Sequence, residues 1–410
     1  MSQRALRACP VCGDRIVEHL HTQRFVLEEG HPLSTGYQVV NCLKCGFVFA
    51  DTPAVQADYD AFYAQFSKYD DPGSSTGSGE SLHDKARLAV TAEILCQVVP
   101  HPDARILDIG CAGGGLLLAL QHRGYRNLVG IDPSLACAAM TREKTGEAHR
   151  GWLTNLPPGI GTFDCVVLSH VLEHVLDVTG GLEGLRPLLR DGGKVYIEVP
   201  DAARYADYIY APFQDFNTEH INHFSQVCLD NAMARHAFVV TGGGERLLNS
   251  SPQTFTPSVY GIYSRNSTEP EIHPDRDLKF AVLRYIERSS ALWEQIDCRI
   301  GEALRDSPEL IVWGTGQLTL KLLAETQLSQ GKVAAFVDSN PIHQGRQLCG
   351  APILAPSDIR GYSQPILIGT LLHHTQILAQ IKEMGLSNPV ILLPEAGPLG
   401  AAALIEELVA

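Results

Sequence analysis

No run of about 18 apolar residues occurs in this 410-residue chain, so a membrane-spanning helix is not expected. Residues 1–7 lack the apolar core of a signal peptide, and a cytoplasmic location is the expectation. Basic residues are in deficit: 32 Lys and Arg stand against 46 Asp and Glu, leaving a net charge of −14. No basic patch offers to neutralise a nucleic-acid backbone, so nucleic acid is not an expected partner. A nucleotide-linked small molecule stays open, because it needs only one or two local cations. The hydrophobic content of 45% and charged content of 19% are those of an ordinary globular protein. The length predicts two or three domains, each able to bury its own core.

The most informative stretch is residues 105–115. Ile106, Leu107 and Ile109 read as a buried strand that runs into a turn holding Gly110, Gly113, Gly114 and Gly115. Glycine lets a backbone approach a ligand closely and adopt conformations a Cβ forbids. A second strand, residues 128–131, ends in Asp132, 24 residues after Asp108. An acid at that strand tip is placed to hold ribose hydroxyls. An aspartate precedes the first glycine and the loop contains no basic residue, which favours a nucleoside without phosphates. The alternative is an ordinary tight strand-to-helix turn.

Eleven cysteines in a long chain without an export signal do not read as a disulfide framework. Four of them form two Cys-x-x-Cys-Gly knuckles, Cys9 with Cys12 and Cys42 with Cys45. Two such knuckles supply four sulfurs for a tetrahedral, closed and therefore structural Zn²⁺ site. The 29 residues between them form a small hairpin, expected around 25–27 and 37–40. The competing reading is four free or redox-active thiols. The other seven cysteines sit mostly in apolar runs as small core residues.

Residues 59–69 read as an aromatic-rich helix and 71–79 as a glycine-rich linker or lid. A helix over 83–98 follows. In the carboxyl-terminal third, strands at 310–313, 333–337, 365–369 and 389–393, with a helix at 318–326, predict a small Rossmann-like sheet. Thr319 replaces the third glycine of the dinucleotide fingerprint that Gly314 and Gly316 begin, so nicotinamide binding is a weak reading there. A helical stretch, 277–304, links the two sheets.

Asp108, Gly110 and Gly114 match the first motif of the class I S-adenosylmethionine-dependent methyltransferases, with Ala112 where glycine is usual. Residues 163–175 are similar to the family's fourth strand and following loop, and 188–200 to its helix, glycine turn and fifth strand. Three motifs in order are far more specific than one glycine loop. The resemblance implies S-adenosylmethionine as cofactor, held by Asp108, Gly110, Gly114, Asp132 and Ser169. It also sets Trp152 either against the adenine or in the core. His174 is implied to be a wall or packing residue beside the cofactor.

A zinc module, a methyltransferase sheet and a second Rossmann-like sheet, in that order, resemble the sugar C-methyltransferases of deoxysugar pathways. The resemblance implies a fold class of α/β with domains at 1–80, 81–265 and 266–410. It implies a small-molecule acceptor, a nucleotide-linked 4-keto-6-deoxyhexose methylated on the carbon beside the ketone. Residues 217–225 look like the family's Glu-His segment, which makes Glu219 and His220 the catalytic pair. Asn217-Thr218 replaces the usual tyrosine, His223 takes an aromatic position, and Gly316-Gln317 replaces alanine-lysine. Carbon beside a ketone becomes nucleophilic only after losing a proton. Histidine titrates near neutrality and suits that task, with a neighbouring carboxylate to orient it. The alternatives are an O-methyltransferase on a sugar or secondary metabolite, an NAD(P)-dependent oxidoreductase built on the carboxyl-terminal sheet, and a non-catalytic zinc scaffold that binds S-adenosylmethionine.

Overall fold

A computed structural model describes residues 2–65, 77–251, 254–267 and 271–396. The end of the expected aromatic helix (66–69) and the loop 71–76 lie outside the described residues. Two units organise the chain. The first comprises Met1–Leu20, Val39–Tyr205 and Glu219–Ala281; the second comprises His21–Gln38, Ala206–Thr218 and Val282–Ala410.

The amino-terminal strands are β1 (Ser2–Arg4), β2 (Ile16–Arg24), β3 (Gly36–Cys42) and β4 (Val48–Asp51). β2 stops one residue short of the expected first hairpin strand, while β3 covers the whole of the second. α1 (Gln56–Gln65) follows, then α2 (Leu82–Val98). Ser81 caps α2, its side chain accepting from Asp84 N.

The central sheet of the first unit then builds in alternation: β5 (Arg105–Ile109), α3 (Gly115–Gln121), β6 (Asn127–Asp132), α4 (Leu135–Thr145), β7 (Ala148–Arg150), β8 (Phe163–Ser169), α5 (Val178–Glu183) and β9 (Leu189–Pro200). After the short strand β10 (Asn222–His223) come α6 (Gln226–Arg235), β11 (Phe238–Ser251) and β12 (Thr254–Arg265). The strand order is β11-β12-β9-β8-β5-β6-β7. β7, β6, β5, β8 and β9 run parallel, with β12 antiparallel to β9 and β11 antiparallel to β12. Ile106 and Leu107 are fully buried on opposite faces, which is why the parallel strands read as continuous apolar runs. On one face Leu88, Ala92 and Leu95 of α2 and Leu116, Leu117 and Leu120 of α3 pack over Ile106 and Tyr196. The chain order reverses at β5, between β6 and β8. Open α/β sheets bind ligands at such a switch point, outside the carboxyl ends of the strands. β10 pairs instead with β4, at the edge of the separate sheet β1-β2-β3-β4-β10.

α7 (Leu278–Asp306) starts in the first unit and ends in the second, close to the expected 277–304. The second unit continues with β13 (Glu309–Trp313), α8 (Gln317–Glu325), β14 (Lys332–Val337), β15 (Gln347–Leu348), β16 (Ala351–Leu354), β17 (Ile366–Ile368), α9 (His374–Glu383) and β18 (Val390–Ile391). Its order is β15-β16-β14-β13-β17-β18, parallel except for β15. Alternation sets the two faces. Leu310, Val312 and Phe336 join one core, and Ile311, Trp313 and Val337 the other. Among the described residues no helix is long and apolar enough to cross a membrane.

Candidate active site

At the carboxyl end of β5 the amides of Gly110 and Cys111 both donate to Ile131 O, at 2.7 and 3.0 Å. Gly110 has φ of +80°, and a Cβ there would lie 2.6 Å from Val171 Cγ2. Both conformation and space therefore require glycine. Gly114, at φ of +79°, is the N-cap of α3. Ala112 keeps the left-handed conformation its position demands, with φ of 46°. That strain, about 1–2 kcal/mol for a residue with a Cβ, is held from both sides. Its amide donates to Asp132 Oδ2 (2.9 Å) and its carbonyl accepts from Thr141 Oγ1 (2.8 Å).

Asp132 ends β6, 6% exposed, and its Oδ1 accepts from Ser134 N at 2.9 Å. Gly151 N donates to Asp132 O at 3.1 Å, which brings Trp152 next to the acid. The indole N–H of Trp152 is buried with no hydrogen-bond partner among the described residues. The Arg150 guanidinium lies 5.2 Å from its ring centroid. Ser169 ends β8, level with Glu198 of β9. A glycine cradle, an acid at the strand tip and a buried, unpaired indole fit a nucleoside.

Asp108 is buried in β5, and burial, then the nearby charge of Asp132, pushes its carboxyl up to about 7 against a weaker pull from Arg87. The folded protein therefore holds this proton between about pH 4 and pH 7, where the unfolded chain has released it. Stability must fall as pH rises through that window. Asp108→Asn should remove this share and flatten the curve by a few kcal/mol, at about 1.4 kcal/mol per unit of pKa. Denaturant titrations of both proteins at pH 5 and pH 8 would measure it, and parallel pH dependences would refute it.

Residues 77–79, the described end of the expected lid, are built into the glycine turn. Gly77 O accepts from Gly115 N at 3.0 Å, and Asp84 Oδ2 accepts from the amides of Gly77 (2.9 Å) and Gly79 (2.7 Å). The sequence signal was Asp84, three residues after the capping Ser81.

Glu219 and His220 sit just before β10. Ile221 is clamped on both sides: its amide donates to Glu173 O (2.8 Å) and its carbonyl accepts from Ala50 N (2.9 Å). The loop after β8 thus reaches the pair. His174 Nδ1 lies 3.2 Å from Glu219 O, and its ring meets His220 edge-on, with centroids 4.8 Å apart. Tyr63 meets the same His174 ring at 6.2 Å. Glu173 Oε1 lies 3.2 Å from His170 Nδ1 and 3.9 Å from His174 Nε2. Sequence reasoning singled out neither Glu173 nor His170, although the His-x-x-Glu-His spacing places them on one turn. His223 is fully buried, edge-on to Tyr205. Burial, then the charge of Arg7, pushes it down to about 3, so the ring is neutral and fills an aromatic's place.

In the cysteine module, Gly13 N donates to Cys9 O (2.8 Å) and Gly46 N to Cys42 O (2.9 Å), closing both knuckles. Gly46 has φ of +81°, and a Cβ there would run into the carbonyl of Asp275. Cys9 Sγ lies 3.6 Å from Cys45 Sγ, and Cys12 Sγ 3.5 Å from Cys42 Sγ. All four sulfurs fall within 4.8 Å of one another. Tetrahedral zinc with bonds of about 2.3 Å needs sulfurs about 3.8 Å apart, so the donor set fits. The neighbouring thiols, Cys12 first, push Cys9 and Cys45 up and Cys42 down. Four sulfurs this close cannot all ionise without a cation between them.

Residues 55–241 match the model of a methyltransferase domain, and residues 307–392 match the C2185-like, N-terminal family. The ubiquinone biosynthesis O-methyltransferase of Rhizobium rhizogenes is 31% identical over 158 residues, covering 35% of this chain and 62% of that protein. That of Methylocella silvestris is 37% identical over 103 residues, covering 24% and 40%. The chain thus spans about three fifths or less of the length of these curated relatives. A crystal structure of Burkholderia thailandensis 1,6-didemethyltoxoflavin-N1-methyltransferase is 17% identical, covers 55% of this chain and 97% of that one, and has a TM-score of 0.40. The stretch that matches a methyltransferase domain, residues 55–241, contains the glycine turn, Asp132 and the Glu219–His220 segment.

Proposed function

We propose that the protein transfers a methyl group from S-adenosylmethionine to a small polar acceptor, a nucleotide-linked keto-deoxysugar methylated on carbon. The observation that carries methyl transfer is Asp132 at the tip of β6, bonded to the amide of Ala112 in the glycine turn. When bound, S-adenosylmethionine supplies a methyl carbon activated by its sulfonium. Asp132 accepts from the ribose hydroxyls, Trp152 flanks the adenine, and the Gly110–Gly114 turn with Asp108 and Ser169 lines the cofactor. Asp132→Ala should weaken S-adenosylmethionine binding about ten- to a hundredfold, the loss of charge-assisted hydrogen bonds. Calorimetry giving unchanged affinity would remove this role.

His220 takes the proton from the acceptor carbon, and Glu219 orients it. The resemblance of residues 217–225 to the sugar enzymes supports the carbon reading. The names of the curated relatives support a second one, O-methylation of a sugar or another metabolite. The dinucleotide reading is weaker. Asp338, at the tip of β14, accepts from Thr315 N (3.0 Å), Thr315 Oγ1 (2.5 Å) and Asn340 N (2.9 Å), so a side-chain hydroxyl already sits where a ribose would bind. Zn²⁺ held by Cys9, Cys12, Cys42 and Cys45 is structural in this reading, because four protein ligands leave no open position.

The two acceptor readings separate in deuterated solvent. With S-adenosylhomocysteine in place of the cofactor, a carbon-methylating enzyme exchanges the hydrogen beside the ketone of a nucleotide-linked 4-keto-6-deoxyhexose. Methyl transfer to this or another nucleotide-linked sugar without such exchange would favour oxygen.

A further inference from the structure

Glu173 is 1% exposed, yet its Oε2 makes no hydrogen bond among the described residues. A buried carboxylate oxygen without a donor is costly and calls for an occupant. The other oxygen, Oε1, is held by His170 Nδ1 at 3.2 Å. His174 is fixed in a complementary way. Its Nδ1 lies 3.2 Å from the carbonyl of Glu219, and a carbonyl can only accept. Nδ1 therefore carries the hydrogen, and in the neutral ring Nε2 keeps a lone pair. The His220 ring stands against that same imidazole. One ligand atom from each of Glu173, His174 and His220 falls within 4.8 Å of the others.

We propose that Glu173, His174 and His220 bind one divalent first-row transition-metal ion beside the end of β8. Two imidazoles and a carboxylate with open positions are the donor set for such ions, whereas calcium and magnesium prefer all-oxygen sites. Bonds of about 2.1 Å set neighbouring ligands about 3 Å apart, so the ion draws the three together by an ångström or so. The outer contacts are those of a working metal site: a backbone carbonyl on the far nitrogen of one histidine, and a histidine on the far oxygen of the carboxylate. His170 makes its contact from a left-handed backbone, φ 57°, strain of the kind that collects at functional sites.

This inference deepens the proposed function, and it rests on that reading for what the ion does but not for whether it binds. The ion binds the acceptor oxygen on which charge develops, which serves an enolate and an alkoxide equally. With the ion bound, His220 would serve the acceptor as a ligand, and a hydroxide on one of the ion's open positions would take the acceptor's proton and leave as water; without the ion, His220 is the base.

The test uses the full chain with its cysteine site filled by zinc. Mn²⁺ alone is titrated in, with the free ion followed by electron paramagnetic resonance, because Mn²⁺ favours carboxylate and imidazole over thiolate. One saturable Mn²⁺ site per chain is expected. In Glu173→Gln, and separately in His220→Ala, it should weaken at least roughly a hundredfold, beyond the 10- to 100-fold typical of outer-shell changes. Zinc released by a thiol-blocking mercurial should stay at the wild-type level in both variants, showing that they fold. No saturable site in the wild type, or one that persists in either variant, overturns the metal site. Methyl transfer would then still stand or fall on S-adenosylmethionine binding, so the two failures are distinguishable.

Discussion

His220→Ala should lower turnover by roughly two to four orders of magnitude, the range of a lost general acid–base group, while S-adenosylmethionine affinity changes by no more than about twofold. The separation follows from position. The cofactor residues sit on the glycine turn and at the tip of β6, whereas His220 belongs to the segment clamped between Glu173 and Ala50. A loss confined to kcat, and to kcat/KM equally, marks an interaction made only in the transition state. Binding without turnover in the variant, seen by calorimetry beside a rate assay, is the expected pair of results. Full activity would leave His220 as no more than a wall of the site.

Replacing Cys9 and Cys12 together by serine should remove the zinc and unfold the amino-terminal module. Zinc released by a mercurial should fall from close to one equivalent per chain to near zero. The effect is large because the ion ties the knuckle between β1 and β2 to the one that joins β3 to β4. A structural zinc site contributes on the order of 10 kcal/mol of folding free energy in such modules. Activity should fall with it, since β10, next to Glu219 and His220, is held by β4 of the same sheet. Retention of the zinc in the double variant would contradict the tetrathiolate site.

These expectations differ in how far the sequence alone could reach. The parallel strands β5 and β6 were legible because burial on both faces leaves a short, mostly apolar run, and β8 and β9 because residues 163–175 and 188–200 resemble the family's fourth and fifth strands. The cysteine knuckles were legible because glycine at a fixed offset reports a backbone conformation. No strand was read in 238–265, where β11 and β12 extend the sheet. Gly242, Gly243 and Gly244 and the exposed Val239 and Val240 blur any alternation there, and only cross-strand pairing over 12 registered positions makes the ribbon. His174 was read as wall or packing, and Glu173 and His170 were not singled out. Their juxtaposition with His220 depends on Ile221 bonding to Glu173 across 48 residues, and no local pattern encodes that. Ala112 is the opposite case. Its departure from glycine was visible at once, but the two hydrogen bonds that hold it left-handed were not.

The most direct test of methyl transfer is a competition binding experiment on the intact chain with radiolabelled S-adenosylmethionine. One saturable site per chain is expected, from which S-adenosylhomocysteine displaces the label and NADH does not, because the glycine turn offers a ribose acceptor and no cation for phosphate. No saturable binding up to millimolar ligand, or displacement by NADH at comparable concentration, would contradict it.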